Sequence, residues 1–367
     1  MKFSGLWLDQ DKKCPIWFKA YSIIILVFGL YTVNFLLFIN WIIAINSDIK
    51  NFASMCYIIM IVHMGELKSL VLLKYRKDCF KMVRMFQHET FQPKTSEELE
   101  KVKEVLGNFT KLKNWMTAAS MGAAVLLDTF PLFHEDKYKL PMSVWYPINI
   151  NYSPLFEIMY LHQAISIVAV TTLNVYTEAM IMGFLTFVGL QCDLLSMRIE
   201  NLEEFSKKNL EVLIKNHWFI LRLFKLIKNL AGKIYFTQIF ASTITYCMDM
   251  YLLTIMDIWS VEYLYILTYQ LAVIGMFMIP CWLSTEMTLK SERIAVALYN
   301  CNWFAASESF KKDMMFFMMR TQRPLKLLAN DFFYVSLELF LKMVRTSLSY
   351  FAVLMNIDSS SPRNFSI

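Results

Sequence analysis

Seven stretches of this chain are apolar over about the length a bilayer demands, and that repetition restricts its fold more than any single motif. A helix needs roughly 20 apolar residues, at about 1.5 Å rise each, to cross the hydrocarbon core. The runs fall at Tyr21–Ile45, Phe52–Leu73, Met116–Phe133, Ile158–Leu190, Ile234–Ile258, Tyr263–Leu283 and Phe332–Ile357. Of the 367 residues, 57% are hydrophobic and 18% charged, more apolar surface than a soluble core of this size can hide, so the excess faces membrane lipid. The expected fold is an all-α membrane protein, a seven-transmembrane helix bundle. The fourth run is longer than a bilayer needs and should tilt or project into water. The seventh is the least hydrophobic, because Glu338, Lys342 and Arg345 interrupt its first half. Residues 1–20 carry charges and no cleavable apolar core, so the first span is expected to serve as its own insertion signal.

Lys and Arg collect on cytoplasmic flanks, which gives the bundle a direction. With the N-terminus inside, segments 1–20, 74–114, 191–233 and 284–329 hold four, ten, eight and seven of them, 29 of 36. The net charge of +6 thus follows the membrane rather than nucleic acid. An odd number of spans then puts the C-terminus outside, the reverse of G-protein-coupled receptors. In agreement, no D-R-Y follows span three, no N-P-x-x-Y sits in span seven, and no cysteine pair could tie span three to the next loop.

The cytoplasmic segments are patterned as helices. In PKTSEELEKVKEVLGNFTKLKNW, Thr95 and Glu98 form a capping box, and Leu99, Val102, Leu106, Phe109 and Leu112 make one apolar stripe, predicting an amphipathic extension of span three. Similar patterns occur over Leu202–Leu230 and Ile294–Phe304, with a short run MMFFMM at 314–319. Such extensions suit contact between subunits, or packing on their own bundle. Of the sequons at Asn108, Asn151 and Asn364, Asn151 is the glycosylation candidate, in the exterior loop between spans three and four.

Cys14, Cys56, Cys79, Cys192, Cys247, Cys281 and Cys301 form no C-x-x-C pairs and avoid the exterior segments, so they read as buried thiols. The five histidines are isolated, and no catalytic, metal or cofactor constellation is present, which argues against an enzyme. Ionisable residues inside spans need partners, water or an interface. Snorkelling at the interface is the expectation for Lys68, Asp128 and Asp257.

The outer halves of the spans offer an aromatic, methionine-rich lining with few polar groups: Tyr57, Met60, Phe130, Met159, His162, Ser166, Tyr265 and Tyr269. Such a set suits a small apolar molecule, although aromatics near the surface also serve as membrane-belt residues. In span seven, Glu338, Lys342, Arg345 and Ser349 recur at helical spacing on one face, with an apolar outer end. That pattern fits a pore wall that is wet inside and narrowed outside, or charges paired to cytoplasmic helices.

The stretch FFYVSLELFLKMVRTSLSYFAVLMNI (332–357) resembles the C-terminal signature of insect odorant receptors, in which V-S-L precedes a helix ending in S-Y-F. CWLSTEMTLKSERIAVALYNCNWF (281–304) is similar to the family's segment after span six, with Glu286, Ser291, Glu292, Ala297, Tyr299 and Trp303 in place. LPMSVWYPIN (140–149) resembles its extracellular loop, through Trp145 and Pro147. The gustatory-receptor pattern T-Y-x-x-x-x-x-Q-F is missing, as is the long second cytoplasmic loop of the odorant co-receptor.

This resemblance implies an odour-tuning subunit that binds a volatile small-molecule odorant. It implies a ligand-gated non-selective cation channel, a heterotetramer with the co-receptor, in the plasma membrane of an olfactory sensory neuron dendrite. It also implies that the last helix lines the pore, with Val353 at the constriction and Asn356 farther out. On that reading 1–283 carries the ligand-binding bundle, 284–331 the subunit-packing anchor, and 332–367 the pore helix and tail. A G-protein-coupled type of metabotropic chemoreceptor would differ in needing a G protein, and a transporter in showing saturable flux.

Overall fold

Serine hydroxyls set where several of the helices start. Ser206, Ser260 and Ser307 each accept a bond from the backbone N–H three residues on, at 3.3, 3.0 and 3.4 Å, satisfying a donor that has no partner within the helix. The computed structural model describes residues 31–44, 49–133, 139–142, 144–258 and 260–360. Nine α-helices are described: α1 (Thr32–Ala44), α2 (Ile49–Lys74), α3 (Arg76–Phe86), α4 (Ser96–Thr129), α5 (Leu155–Glu200), α6 (Lys207–Ile255), α7 (Val261–Asn300), α8 (Glu308–Thr321) and α9 (Leu337–Ser360). The seven expected spans fall on α1, α2, α4, α5, α6, α7 and α9. Residues 21–30 of the first span, Cys14 and the Asn364 sequon lie outside the described residues.

Asn51–Lys74, Leu155–Glu200 and Val261–Asn300 are long and apolar enough to cross a membrane by composition alone. Helix α6 is less apolar because Gln238, Ser242, Thr245 and Asp249 interrupt it, yet all four are buried while Phe240 and Ile244 face outward. A helix whose polar residues point into the bundle can still present an apolar face to lipid.

The extensions at one end of the bundle are continuous with the spans. Helix α4 starts some twenty residues before its apolar part, α5 runs for 46 residues, α6 for 49 and α7 for 40. Along the first turns of α6, Leu210, Leu213, Ile220, Leu223, Ile227 and Leu230 recur at helical spacing and are buried. The expected capping box is half formed: Glu98 N–H donates to Thr95 Oγ1 at 3.2 Å, but the Glu98 carboxylate turns to the N–H of Lys94 (2.7 Å). It also receives Arg198 Nε and Nη2, both at 2.8 Å, while Arg198 donates to the carbonyls of Thr90 and Gln92. The α3–α4 loop is thereby tied to α5. Burial is the largest single influence and raises the Glu98 pKa, but the bonds and charges of Arg198 and Lys94 together outweigh it, so the carboxyl is held below its usual range. The apolar stripe is only partly covered, with Leu99 43% and Leu106 47% exposed.

Two expectations need correction. The seventh apolar run starts at Phe332, but its helix, α9, begins only at Leu337. Upstream, β1 (Leu328–Ala329) pairs antiparallel with β2 (Phe333–Tyr334). Asn330 and Asp331 turn the chain at φ of 48° and 63°, a left-handed conformation their short polar side chains tolerate. Ser336 accepts from Leu339 N–H at 3.3 Å and starts the helix. Lys68 does not snorkel: its ammonium is buried and meets Glu178 of α5 at 2.7 Å. The six described cysteines are free and buried.

Hydroxyls on α7 fasten the segment leading to α9. Thr288 Oγ1 donates to Leu325 O (2.7 Å) and accepts from Tyr334 O–H (2.9 Å), Ser291 Oγ accepts from Leu325 N–H (2.9 Å), and Thr285 Oγ1 accepts from Leu337 N–H (3.1 Å). Gly232 on α6 is required by the same junction, since a Cβ there would stand 2.6 Å from Leu328 O.

Candidate ligand-binding site

Small residues on α4 create space at the end of the bundle opposite the extensions. Ser120, Ala123 and Ala124 face α2, α5 and α7 across a cavity of about 60 Å³. Its walls are almost wholly apolar, with Ile58 and Val62 from α2 and Ile167 and Val170 from α5. Met142, in the loop before α5, roofs it. Gln163 holds that roof in place: its Oε1 accepts from Met142 N–H at 2.8 Å, and its Nε2 donates to Met142 O and Tyr146 Oη, both at 3.2 Å.

Tyr57, Ser166, Tyr265 and Tyr269, from α2, α5 and α7, all line this cavity and are buried. The Tyr57 and Tyr269 rings lie 5.3 Å apart and those of Tyr265 and Tyr269 6.2 Å apart. Ser166 spends its hydroxyl on His162 O (2.8 Å), so it offers the cavity little polarity. Met159 and His162 do not line it. They are seven and four residues before Ser166 on the same helix face, above the point where Met142 closes the roof, and His162 Nε2 stands 3.4 Å from Thr32 Oγ1. Phe130 lies in the short turn after α4, and its side chain is outside the described residues.

Met60 faces a second, smaller chamber of about 40 Å³, deeper along the bundle, which shares Ile61, Tyr269, Val273 and Met276 with the first. This one is polar, bordered by Gln238, Ser242 and Thr245 of α6, Lys68 of α2 and Asn174 of α5. Asn174 Nδ2 is engaged by the carbonyls of Val170 and Ile61, at 3.2 and 3.4 Å. By contrast, Tyr269 Oη and Gln238 Oε1 are buried without a hydrogen-bond partner among the described residues, as are both carboxylate oxygens of Asp249. Sequence reasoning did not single out Gln163, Met142, Gln238 or the α4 floor. The run AASMGAA (118–124) is a legible sign of that floor, because five of its seven residues are alanine or serine and leave space between helices.

On α9, Met343 and Ser347 face the bundle, and Ser347 Oγ donates to Thr243 O of α6 at 3.1 Å. The opposite face is uncovered: Glu338 and Lys342 pair with each other at 2.7 Å, and Tyr350, Val353, Asn356 and Ile357 continue the stripe outward. Val353 is 56% exposed. Asn151 is exposed in the loop before α5.

Residues 48–348 match the family described as 7tm odorant receptor. Odorant receptor 46a, isoform A, of Drosophila melanogaster is 22% identical, over 97% of this chain and 95% of its own. Odorant receptor Or1 of Anopheles gambiae is 21% identical, over 98% and 94%. The fold superposes on the insect olfactory receptor OR5 from Machilis hrabei in complex with eugenol, with a TM-score of 0.89, 17% identity and coverage of 97% and 95%. With the family match spanning all but the chain's two ends, the seven helices and the cavity they enclose are those of a member of the 7tm odorant receptor family.

Proposed function

We propose that this odorant receptor is the odour-binding subunit of a ligand-gated, non-selective cation channel formed as a heterotetramer with the odorant co-receptor. It acts in the plasma membrane of an olfactory sensory neuron dendrite, with its N-terminus cytoplasmic and its C-terminus outside. The observation that carries this reading is the apolar cavity at the end of the bundle away from the basic helical extensions. A volatile, mostly apolar molecule gains there by leaving water, and the OR5 complex with eugenol supports a ligand of that size in this fold. Tyr57, Ser166, Tyr265 and Tyr269 form the contact set, with Met60 behind them and Phe130, Met159 and His162 on the route in.

The cavity is small, so a bound odorant must part its walls. Helix α7 carries Tyr265 and Tyr269 at one end and, farther along, Thr285, Thr288 and Ser291, which hold the root of α9. A shift of α7 is therefore passed to α9, whose uncovered stripe forms the pore wall, with Val353 as constriction and Asn356 beyond it. The odorant opens the pore by the difference in its affinity for the two arrangements, and about 5.5 kcal/mol of preference would turn a 1:99 equilibrium into 99:1. In this assignment 1–283 binds odour, 284–331 packs the subunits, 332–367 supplies the pore helix and tail, and Asn151 carries glycan.

Whole-cell recording tests the proposal in cells expressing the chain with and without an odorant co-receptor, under a volatile panel and G-protein blockade. A fast cation current in the pair alone is the expected result. A signal from surface-expressed chain that vanishes with the G-protein block would replace the channel with a metabotropic receptor.

A further inference from the structure

The two chambers meet at Tyr269, and on the polar side two buried groups lack partners. Tyr269 Oη is a potential donor, Gln238 Oε1 is an acceptor, and both residues border the same space of about 40 Å³. Both residues are buried, at 7% and 5% exposure, so water outside the bundle does not serve them. Buried polar groups are nearly always hydrogen-bonded, so a donor and an acceptor that both lack partners and border one enclosed space point to a polar group of a ligand there. Of the other polar borders, Lys68 is engaged by Glu178 and Asn174 by two carbonyls, while Ser242 and Thr245 add hydroxyls to the same wall.

We infer that the odorant of this receptor is an alcohol or phenol whose hydroxyl enters the inner chamber between Tyr269 and Gln238 while its apolar body fills the outer one. A hydroxyl is the smallest group that accepts from Tyr269 O–H and donates to Gln238 Oε1 at once. A carbonyl accepts the first bond and leaves the second group unpaired; a hydrocarbon leaves both. An amine would look instead to Asp249, which borders neither chamber. The inference rests on the reading that odorants occupy the outer cavity, and it adds what their polar end must be.

The test is dose–response recording from the receptor co-expressed with an odorant co-receptor, using one carbon skeleton bearing in turn a hydroxyl, a carbonyl, an amine and a methyl group. The alcohol should act at a concentration at least about tenfold below the carbonyl and methyl analogues, the usual consequence of leaving one buried polar group unpaired. Gln238→Leu and, separately, Tyr269→Phe should each reduce the ratio of alcohol to methyl-analogue potency several-fold, with surface labelling reporting that each variant folds. An alcohol preference that survives both substitutions overturns the proposal, and means that water serves the inner chamber. A preference for the amine that disappears in Asp249→Asn overturns it too. Ala123→Phe, which fills the outer cavity, should silence the whole series in surface-labelled receptor; full responses there would remove the underlying site, a failure distinct from losing hydroxyl selectivity alone.

Discussion

Removing Glu178 is the perturbation whose cost can best be worked out from the structure. The Lys68 and Glu178 side chains are 3% and 0% exposed and stand 2.7 Å apart, and Tyr235 O–H donates to the other carboxylate oxygen at 3.1 Å. Glu178→Leu leaves an ammonium buried without its counter-charge and a phenol without its acceptor. Breaking a buried pair in this way costs about 3–5 kcal/mol. The orphaned Tyr235 hydroxyl adds about 1–3 kcal/mol. Folded domains hold only about 5–15 kcal/mol in total, so the single variant should lose most of its folded, surface-delivered protein. Lys68→Met strands the carboxylate and should be nearly as damaging. The double variant, Lys68→Met with Glu178→Leu, removes both charges and is expected to recover about 3 kcal/mol relative to the sum of the singles. Size-exclusion profiles of fluorescently tagged receptor after graded heating in detergent give the ranking, and surface labelling gives the cellular counterpart. Were the double variant as unstable as the two singles combined, the pair would not be energetically coupled and this account of the bundle centre would be wrong.

Gly232→Ala should destabilise the receptor by about 1–3 kcal/mol, because its Cβ must push back Leu328 O, which is backbone and cannot swing aside; the heated size-exclusion profile reads it, and an unshifted profile would disprove the close approach. Burial, with Arg320 nearby, holds the His217 imidazole down at about 4. The unfolded ring titrates near about 6.5 and binds protons more readily, so stability should rise with pH between about 4 and 6.5. Acidification from pH 7 to 5 is therefore expected to lower the protection factors of amides in α8, after correction for the intrinsic exchange rate, where Phe317 packs 5.4 Å from His217, and His217→Phe should flatten that dependence. In Val353→Ala, conductance or gating should change while the odour rank order stays the same; the opposite pattern in paired recordings would move the constriction elsewhere. Asn151→Gln should abolish any glycosidase-sensitive mobility shift of the expressed chain, and a persistent shift would point to another acceptor.

The helical architecture was legible in the sequence because it follows from local rules: apolar length, the 3.6-residue period and basic flanks. The helix extending span three could be read from Thr95 and Glu98, although the return bond of the box goes to Lys94 because Arg198 pulls the carboxylate aside. What escaped depends on partners distant in sequence. Nothing near Lys68 announces Glu178, 110 residues away, so an interfacial lysine was the sounder expectation until the helices were packed. Phe332 and Phe333 prolong an apolar run, but the turn at Asn330 and Asp331 fixes β2 against β1 and defers the helix to Ser336. For the cavity, helix face was readable and depth was not: Tyr57, Tyr265, Tyr269 and Ser166 border it, whereas His162 shares Ser166's face but does not.

Hydropathy has a systematic blind spot in such a bundle, because it discounts helices whose polar residues point inward. Helix α6 is apolar enough outside, yet its average is lowered by Gln238, Ser242, Thr245 and Asp249, all buried. A polar group is kept inside a membrane bundle only where partners, water or a ligand meet it, so the residues that weaken the hydropathy signal are also those with something to bind. The Lys68–Glu178 pair on α2 and α5 answers its own charges and is structural. Gln238 and Tyr269 are not answered within the described chain, and they border one space next to an apolar cavity. On the proposed reading, polar residues that satisfy one another belong to the framework, and unpartnered polar residues that border the chambers belong to recognition. Substitutions in the first set should change how much receptor reaches the surface, and substitutions in the second should change which molecules it answers to.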